Sequence, residues 1–355
     1  VIAPQDLRTA DATRASEIYA GRFAFAGKVV ICDRRSPFEK RTAPGVRENP
    51  RTCIPVRGGY NSDPGEGRVT RLIYTSDLHG DLELYRAAGE AALRLEADAI
   101  VFGGDLCPGM PSASAVSLPR AQPEFLRREI GPLVESWRKD NPALRVFLIP
   151  GNDDCATILP ALEDLEFAGL VENLHQESAR LGPYLLIGMA FVPPTPFSFK
   201  DFERRDGPEE RPPERQLARS VLATEQGFKV IDDFRSYLNS LPTIEEEIVR
   251  LPAGEPGRTI AVMHCPPYNS RCDVLYNGKH IGSQAIRRWI ERTQPLLTLH
   301  GHIHESPKMS GSFSDRLGKT VVVNPGASGR VPHWVYLELE NLSEVEHSVY
   351  GRSKT

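Results

Sequence analysis

No apolar run in this chain approaches the roughly 20 residues needed to cross a bilayer, and no basic N-terminal stretch precedes an apolar one. The sequence therefore predicts a soluble, cytoplasmic protein with no membrane partner. The six cysteines (Cys32, Cys53, Cys107, Cys155, Cys265 and Cys272) never fall in CxxC spacing, which excludes zinc-finger chemistry. In a chain of 355 residues they read as reduced thiols. Excess positive charge is lacking too. A net charge of -4 and a pI near 6.2 give no broad cationic field for a phosphate backbone, so nucleic acid is disfavoured as a partner. What the chain has is 40% hydrophobic and 25% charged residues, enough for one large core or two modest ones.

Apolar strands alternate with helical stretches only from about residue 70. Residues 1–69 hold one strand candidate, Lys28–Cys32, and then a stretch rich in Pro, Gly and Arg that interrupts itself too often for a long element. This part reads as an extension packed on a main domain over 70–355. Strands are predicted at "RLIYTSD", "AIVFGGD", "RVFLIPGN", "YLLIGMAF", "TIAVMHCPP" and "LLTLHGH". "TVVVNPG" and "HWVYLELE" read as closing strands of antiparallel type. Helices are predicted at "LELYRAAGEAALRLE", "TILPALEDLE" and "SQAIRRWIER". Two more carry predicted breaks, at Gly131 and Pro132 and at Pro242. Segments near 192–217 and 265–283 look like excursions that form a cap.

Five of the apolar runs stop at residues able to ligate a metal: Asp77 and His79 in "SDLHG", Asp105 in "GGD", Asn152 in "PGNDD", His264 in "MHCPP", and His302 with His304 in "GHIH". Each has an ordinary explanation by itself. An Asp after a strand commonly caps a helix or makes a turn, and Asn after Gly signals a turn. A single His such as His264 is more often packed than ligating. The conjunction carries the weight, because strand ends in an α/β sheet share one rim where ligands bind. There, residues distant in sequence meet. On an extended strand end His302 and His304 would point the same way, with His300 on the other side as a packing or supporting residue.

The ordered motifs D-x-H, G-D, G-N-x-D, a lone H and G-H-x-H resemble those of the calcineurin-like metallophosphoesterase superfamily over residues 71 to about 340. "NPG" (Asn324–Gly326) is similar to its bacterial and archaeal cyclic-nucleotide-phosphodiesterase-related branch. The resemblance implies a four-layer α/β/β/α sandwich of two mixed sheets. It also implies two divalent cations (Mn, Fe, Zn, Co or Ni). The first would be held by Asp77, His79, Asp105 and His304, and the second by Asp105, Asn152, His264 and His302. A shared carboxylate and a bridging hydroxide then place the ions about 3.5–4 Å apart for attack on phosphorus.

One position departs from the superfamily pattern. Asp153 stands where a histidine usually follows the Asn; an aspartate ordinarily titrates near 3.9. Asp153 can act as an acid if desolvated, orient water, or be a spectator, the last being favoured. Asp154 matches the carboxylate that supports the usual histidine, and it also fits a helix N-cap. Catalytic candidates are thus Asp105, Asn152 and Asp153. Substrate candidates are Asn152, Arg204, Arg271, Tyr268 and His280, with Phe197, Phe199, Tyr276, Arg205 and Lys279 nearby: aromatics could stack on a base and Arg could fork a phosphate. "GGDLCPG" lacks the protein-phosphatase continuation. A phosphodiesterase on a small or nucleotide-like substrate is expected. A scaffold that kept the fold, and a phosphomonoesterase or nucleotide pyrophosphatase, stay open.

Overall fold

A computed structural model describes residues 69–109, 117–209 and 216–355. The extension read over residues 1–69, including Lys28–Cys32, lies outside the described residues apart from Val69. The first half contains β1 (Arg71–Thr75), α1 (Leu82–Arg94), β2 (Ala99–Phe102), α2 (Leu118–Phe125), α3 (Gly131–Asp140), β3 (Arg145–Leu148), α4 (Leu159–Phe167), β4 (Glu172–Asn173), β5 (Ser178–Leu181) and β6 (Tyr184–Met189). Next come β7 (Val221–Thr224), β8 (Gly227–Val230), α5 (Phe234–Asn239), α6 (Ile244–Arg250), β9 (Thr259–Met263), α7 (Gln284–Thr293) and β10 (Leu297–Leu299). The chain closes with α8 (Ser306–Ser310), β11 (Ser314–Leu317), β12 (Thr320–Val323), β13 (Val335–Glu338), β14 (Glu344–His347) and β15 (Gly351–Lys354).

These strands form two large mixed sheets. One runs β15-β14-β13-β1-β2-β3-β4 and the other β11-β12-β10-β9-β6-β5, with β7 and β8 as a separate hairpin. In the first sheet β1, β2, β3 and β4 are parallel; in the second β6, β9, β10 and β12 are.

The period-two alternation of side chains sorts the apolar residues into three layers of core. Leu72, Tyr74, Ala99, Val101, Phe147 and Ile149 point inward and meet Leu186, Ile260, Val262, Leu297, Leu299, Val321 and Val323 of the facing sheet. Their neighbours Ile73, Ile100, Phe102, Val146 and Leu148 point outward and pack under α1, α3 and α4. On the far side Leu185, Ile187, Met189, Ala261, Met263 and Val322 pack under α6 and α7. Strands buried on both faces read as continuous apolar runs, which is why these were legible in sequence. The result is the expected α/β/β/α sandwich.

The helices follow from local signals. Asp81 caps α1 by accepting from Glu83 N, and Leu84, Tyr85, Ala88, Ala91 and Ala92 form its buried stripe. Pro242 does separate two helices: α5 ends at Asn239, and Thr243 opens α6 with a reciprocal capping box to Glu246. The break predicted at Gly131 and Pro132 does not occur. The chain stays helical through a π-turn over Leu126–Ile130, in which Gly131 N–H reaches back to Leu126 O. That wider turn accommodates a Pro with no amide to donate. β12 also differs from expectation: it is antiparallel to β11 but parallel to β10. Among the described residues no helix is long and apolar enough to cross a membrane. The four described cysteines, Cys107, Cys155, Cys265 and Cys272, are buried free thiols.

Candidate functional site

The carboxyl ends of β1, β2 and β3 in one sheet and of β9 and β10 in the other reach the same end of the sandwich. The meeting point therefore spans two sheets rather than one open rim. Asp77 and His79 follow β1, Asp105 follows β2, Asn152 follows β3, His264 leaves β9 and His302 and His304 follow β10. Ligand-type atoms of Asp77, His79, Asp105 and His304 all lie within 4.8 Å of one another. His79 Nε2 is 3.3 Å from His304 Nε2 and 3.8 Å from Asp105 Oδ2, and His304 Nε2 is 3.2 Å from Asp77 Oδ1. Beside them, Asn152 Oδ1 lies 3.1 Å from His264 Nε2 and 2.6 Å from His302 Nδ1. His264 Nε2 is 3.4 Å from Asp105 Oδ2, so Asp105 touches both groups.

The backbone does unusual work to aim these donors. Asp77 (φ 59°), His79 (φ 45°), Asp105 (φ 51°) and His302 (φ 68°) all sit in the left-handed region. Asp and His are among the few non-glycine types that tolerate it. His302 and His304 are therefore not on an extended strand: β10 has ended at Leu299, and a left-handed bend at His302 followed by a turn carries the His302 ring to Asn152 and the His304 ring to Asp77. Gly104 (φ 110°) is required on two counts, since a Cβ there would also run into His264 Nδ1.

Supporting hydrogen bonds fix each donor. His264 Nδ1 lies 2.8 Å from Gly103 O, which turns Nε2 toward Asp105 and Asn152. Asp77 Oδ1 accepts from His302 N at 3.0 Å. Asp105 Oδ1 accepts from Asp153 N at 2.8 Å. The Asn324 amide of "NPG" donates to Cys272, Gly301 and Ile303 carbonyls, and Ala327 N donates to His304 O, so this motif clamps the loop that bears both histidines. His300 is fully buried with Nδ1 at 2.8 Å from Met263 O and 2.9 Å from Cys265 O, a packing role.

Burial opposes charge in the cluster, but at Asp77, Asp105, His264 and His304 mutual attraction outweighs it. His304 and His264 hold Asp77 down to about 2, and Asp105 is also held well below the usual carboxylate range, chiefly by His264. Conversely the two carboxylates push His264 up to about 10 and His304 up to about 9 against their desolvation. Burial and the neighbouring His264 push His302 down to about 3, leaving it neutral. The carboxylates thus favour positive charge between them, and a divalent cation meets that demand while displacing imidazole protons. The all-nitrogen-and-oxygen donor set fits Mn, Fe, Zn, Co or Ni.

Asp153 and Asp154 part company. Asp153 lines the site, its Oδ1 accepting from Asn152 Nδ2 at 3.0 Å and its Oδ2 lying 3.8 Å from His79 Nδ1. Burial and the Asp105 carboxylate push it up to about 6. Asp154 is fully buried and is not a helix cap. Its carboxylate accepts from Leu106, Cys107 and Gly151 amides, tying the turn after β2 to the turn after β3.

A cavity of about 1030 Å³ opens from these donors. His79, Asp105, Asn152, Asp153, His302 and His304 form its floor, and the "VPPTPFSF" segment forms one wall. Phe197 and Phe199 line it as expected. Arg204 does not: it is buried, its guanidinium donates to Asp201 and Glu203 carbonyls and lies 4.1 Å from the Phe191 ring centre. Arg271, Tyr268 and His280 also stand outside the lining. His280 is engaged with Asp273 at 2.6 Å, and Tyr268 packs against the His280 ring. Arg205, Lys279 and Tyr276 are absent from the lining as well. In their place are Pro193, Pro194, Pro196, Leu217, Leu275 and Ile281. These apolar residues belong to the same two segments, but they carry no sequence signal of a site.

Fold and donor set define a divalent-metal centre at one end of a two-sheet sandwich. The calcineurin-like phosphoesterase family model matches residues 70–306, and the chain belongs to that family. It is accordingly a metal-dependent phosphoester hydrolase by class. Similar solved structures include a protein of Thermus thermophilus, 19% identical over 81% of this chain and 99% of that one, with a TM-score of 0.47. Others are an archaeal phosphodiesterase (13% identity, 76% and 94% coverage, TM-score 0.32) and a dimetal phosphatase from Danio rerio (12%, 81% and 97%, TM-score 0.39). No curated protein matches the chain significantly.

Proposed function

We propose that the chain is a dinuclear metal-dependent phosphodiesterase acting on a small phosphodiester. The observation that carries this reading is the meeting of Asp77, His79, Asp105, Asn152, His264, His302 and His304, with Asp105 in reach of both halves of the cluster. Asp77, His79, Asp105 and His304 would hold one cation, and Asp105, Asn152, His264 and His302 the other. When bound, such a pair supplies an activated water and stabilises charge on the phosphoryl oxygens. The chain's own residues orient and shield. Gly103 O fixes the His264 ring, Asp77 fixes the His302 backbone, and Asp153 Oδ1 holds the Asn152 amide so that its oxygen faces His264 and His302. Asp153 is thus read as a positioning residue for Asn152.

A diester is favoured over a monoester by charge. Among the described residues lining the cavity there is no Lys or Arg, whereas Asp153 and Glu305 are present. A monoanionic diester suits those surroundings better than a monoester dianion or a pyrophosphate. The buried free thiols support a reducing compartment, which we take to be the cytoplasm. The test is hydrolysis of bis(p-nitrophenyl) phosphate against p-nitrophenyl phosphate by protein loaded in turn with Mn, Fe, Zn, Co and Ni. Preference for the diester is expected; preference for the monoester would reverse the assignment, and inactivity on both would favour a binding protein.

A further inference from the structure

Resting on the phosphodiesterase reading, we propose that the wall formed by Pro193, Pro194, Pro196, Phe197, Phe199 and Leu217 is a specificity subsite for an uncharged alkyl or aryl substituent of the diester. Three large apolar side chains on this cavity are strongly exposed, namely Phe197 (54%), Leu217 (66%) and Ile281 (40%). Water-exposed apolar groups gathered in one concavity beside a charged floor have a use when an amphipathic ligand covers them. The cavity is continuous with His79, Asp105, Asn152, His302 and His304, so a ligand whose phosphate sits on the floor lays its substituent on this wall.

The wall is built rather than loose. Directly behind it Lys200 and Glu203 form an ion pair at 3.0 Å with both side chains at 0% exposure. Lys200 Nζ also donates to Thr195 O at 2.8 Å, and Thr195 Oγ1 donates to Glu203 Oε1 at 2.5 Å. Leu217 N donates to Pro196 O, and Phe199 stacks on Phe228 with centroids 5.1 Å apart. Three prolines limit the freedom of the same segment, so little ordering is left for a ligand to impose.

The test uses diesters sharing a p-nitrophenyl leaving group, with methyl, butyl, octyl or a nucleoside as the second substituent. For the metal-loaded protein kcat/KM should rise from methyl to octyl, by at most about fourfold per methylene covered. The nucleoside ester should be slower than the octyl one. Phe197→Ala and Leu217→Ala should each lower the octyl-to-methyl ratio about five- to tenfold. A flat series, or preference for the nucleoside ester, overturns the subsite while leaving the phosphodiesterase reading intact. If no diester is turned over, that reading fails, and calorimetry with dimethyl and dibutyl phosphate decides the wall independently. Equal or weaker binding of the dibutyl ester overturns it.

Discussion

Asp105 and His264 face each other across the two sheets: Oδ2 and Nε2 are 3.4 Å apart, and the far nitrogen of the same ring lies 2.8 Å from Gly103 O, two residues before Asp105. One short turn thus supplies a carboxylate to the ring and fixes that ring's orientation. This reciprocity is what links the β2 end of one sheet to the β9 end of the other.

Asp105→Ala should abolish metal-dependent turnover, with a loss of at least about a thousandfold in kcat. Metal content by elemental analysis should fall for both cations. Asp105→Asn keeps an acceptor for Asp153 N and tolerates the left-handed backbone, so it should fold as the parent does yet remain inactive. Near-normal rates in either variant would contradict a shared carboxylate.

Replacing Asp153 separates its two readings. Asp153→Asn retains an oxygen that can accept from Asn152 Nδ2, and turnover should stay within a few-fold of the parent. Asp153→Ala frees the Asn152 amide and should cost roughly tenfold, through weaker metal retention. A large loss in Asp153→Asn with metal content unchanged would instead make the carboxylic acid itself essential.

Gly104→Ala should destabilise the fold by about 1–3 kcal/mol from the positive φ alone, and displace the His264 ring as well. Chemical denaturation and metal titration would read the two effects separately. An unchanged midpoint together with unchanged metal affinity would refute the close approach.

Asp201 gives the protein a pH-dependent stability term. Buried and bonded to Ala223 N, its carboxyl is pushed up by burial to about 7, whereas an unfolded aspartate titrates near 3.9. The folded state therefore holds this proton more tightly. Its contribution is fully present below about pH 4 and is lost as pH rises toward 7. Asp201→Asn, which cannot ionise, should remove that decline, so that its melting temperature relative to the parent improves by a few degrees between pH 5 and 7.5. A constant difference across that range would count against it.

Much of this architecture was legible because the central strands are buried on both faces, so "LIY", "AIVF", "VFL" and "IAVM" are unbroken apolar runs. β14, β15 and the β7–β8 hairpin were not, because edge and hairpin strands alternate weakly with exposed charges such as Glu344, Arg352 and Lys229. The candidate donors were legible because each lies shortly after the end of such a run. A guanidinium in an excursion reads as solvent-facing, whereas Arg204 is buried. In the folded chain its guanidinium donates to carbonyls of its own loop. Leu217 and Ile281 were missed for the opposite reason: isolated apolar residues in a polar segment carry no periodicity to mark them.

The left-handed turns at Asp77, His79, Asp105 and His302 place two demands on each of those positions, one for a donor atom and one for a backbone that most side chains resist. Swapping in a longer carboxylate would honour the first demand and violate the second. Anyone wishing to silence this protein while keeping its shape should therefore reach for asparagine rather than glutamate at the aspartates, and drift at these sites should be confined to the same narrow choice.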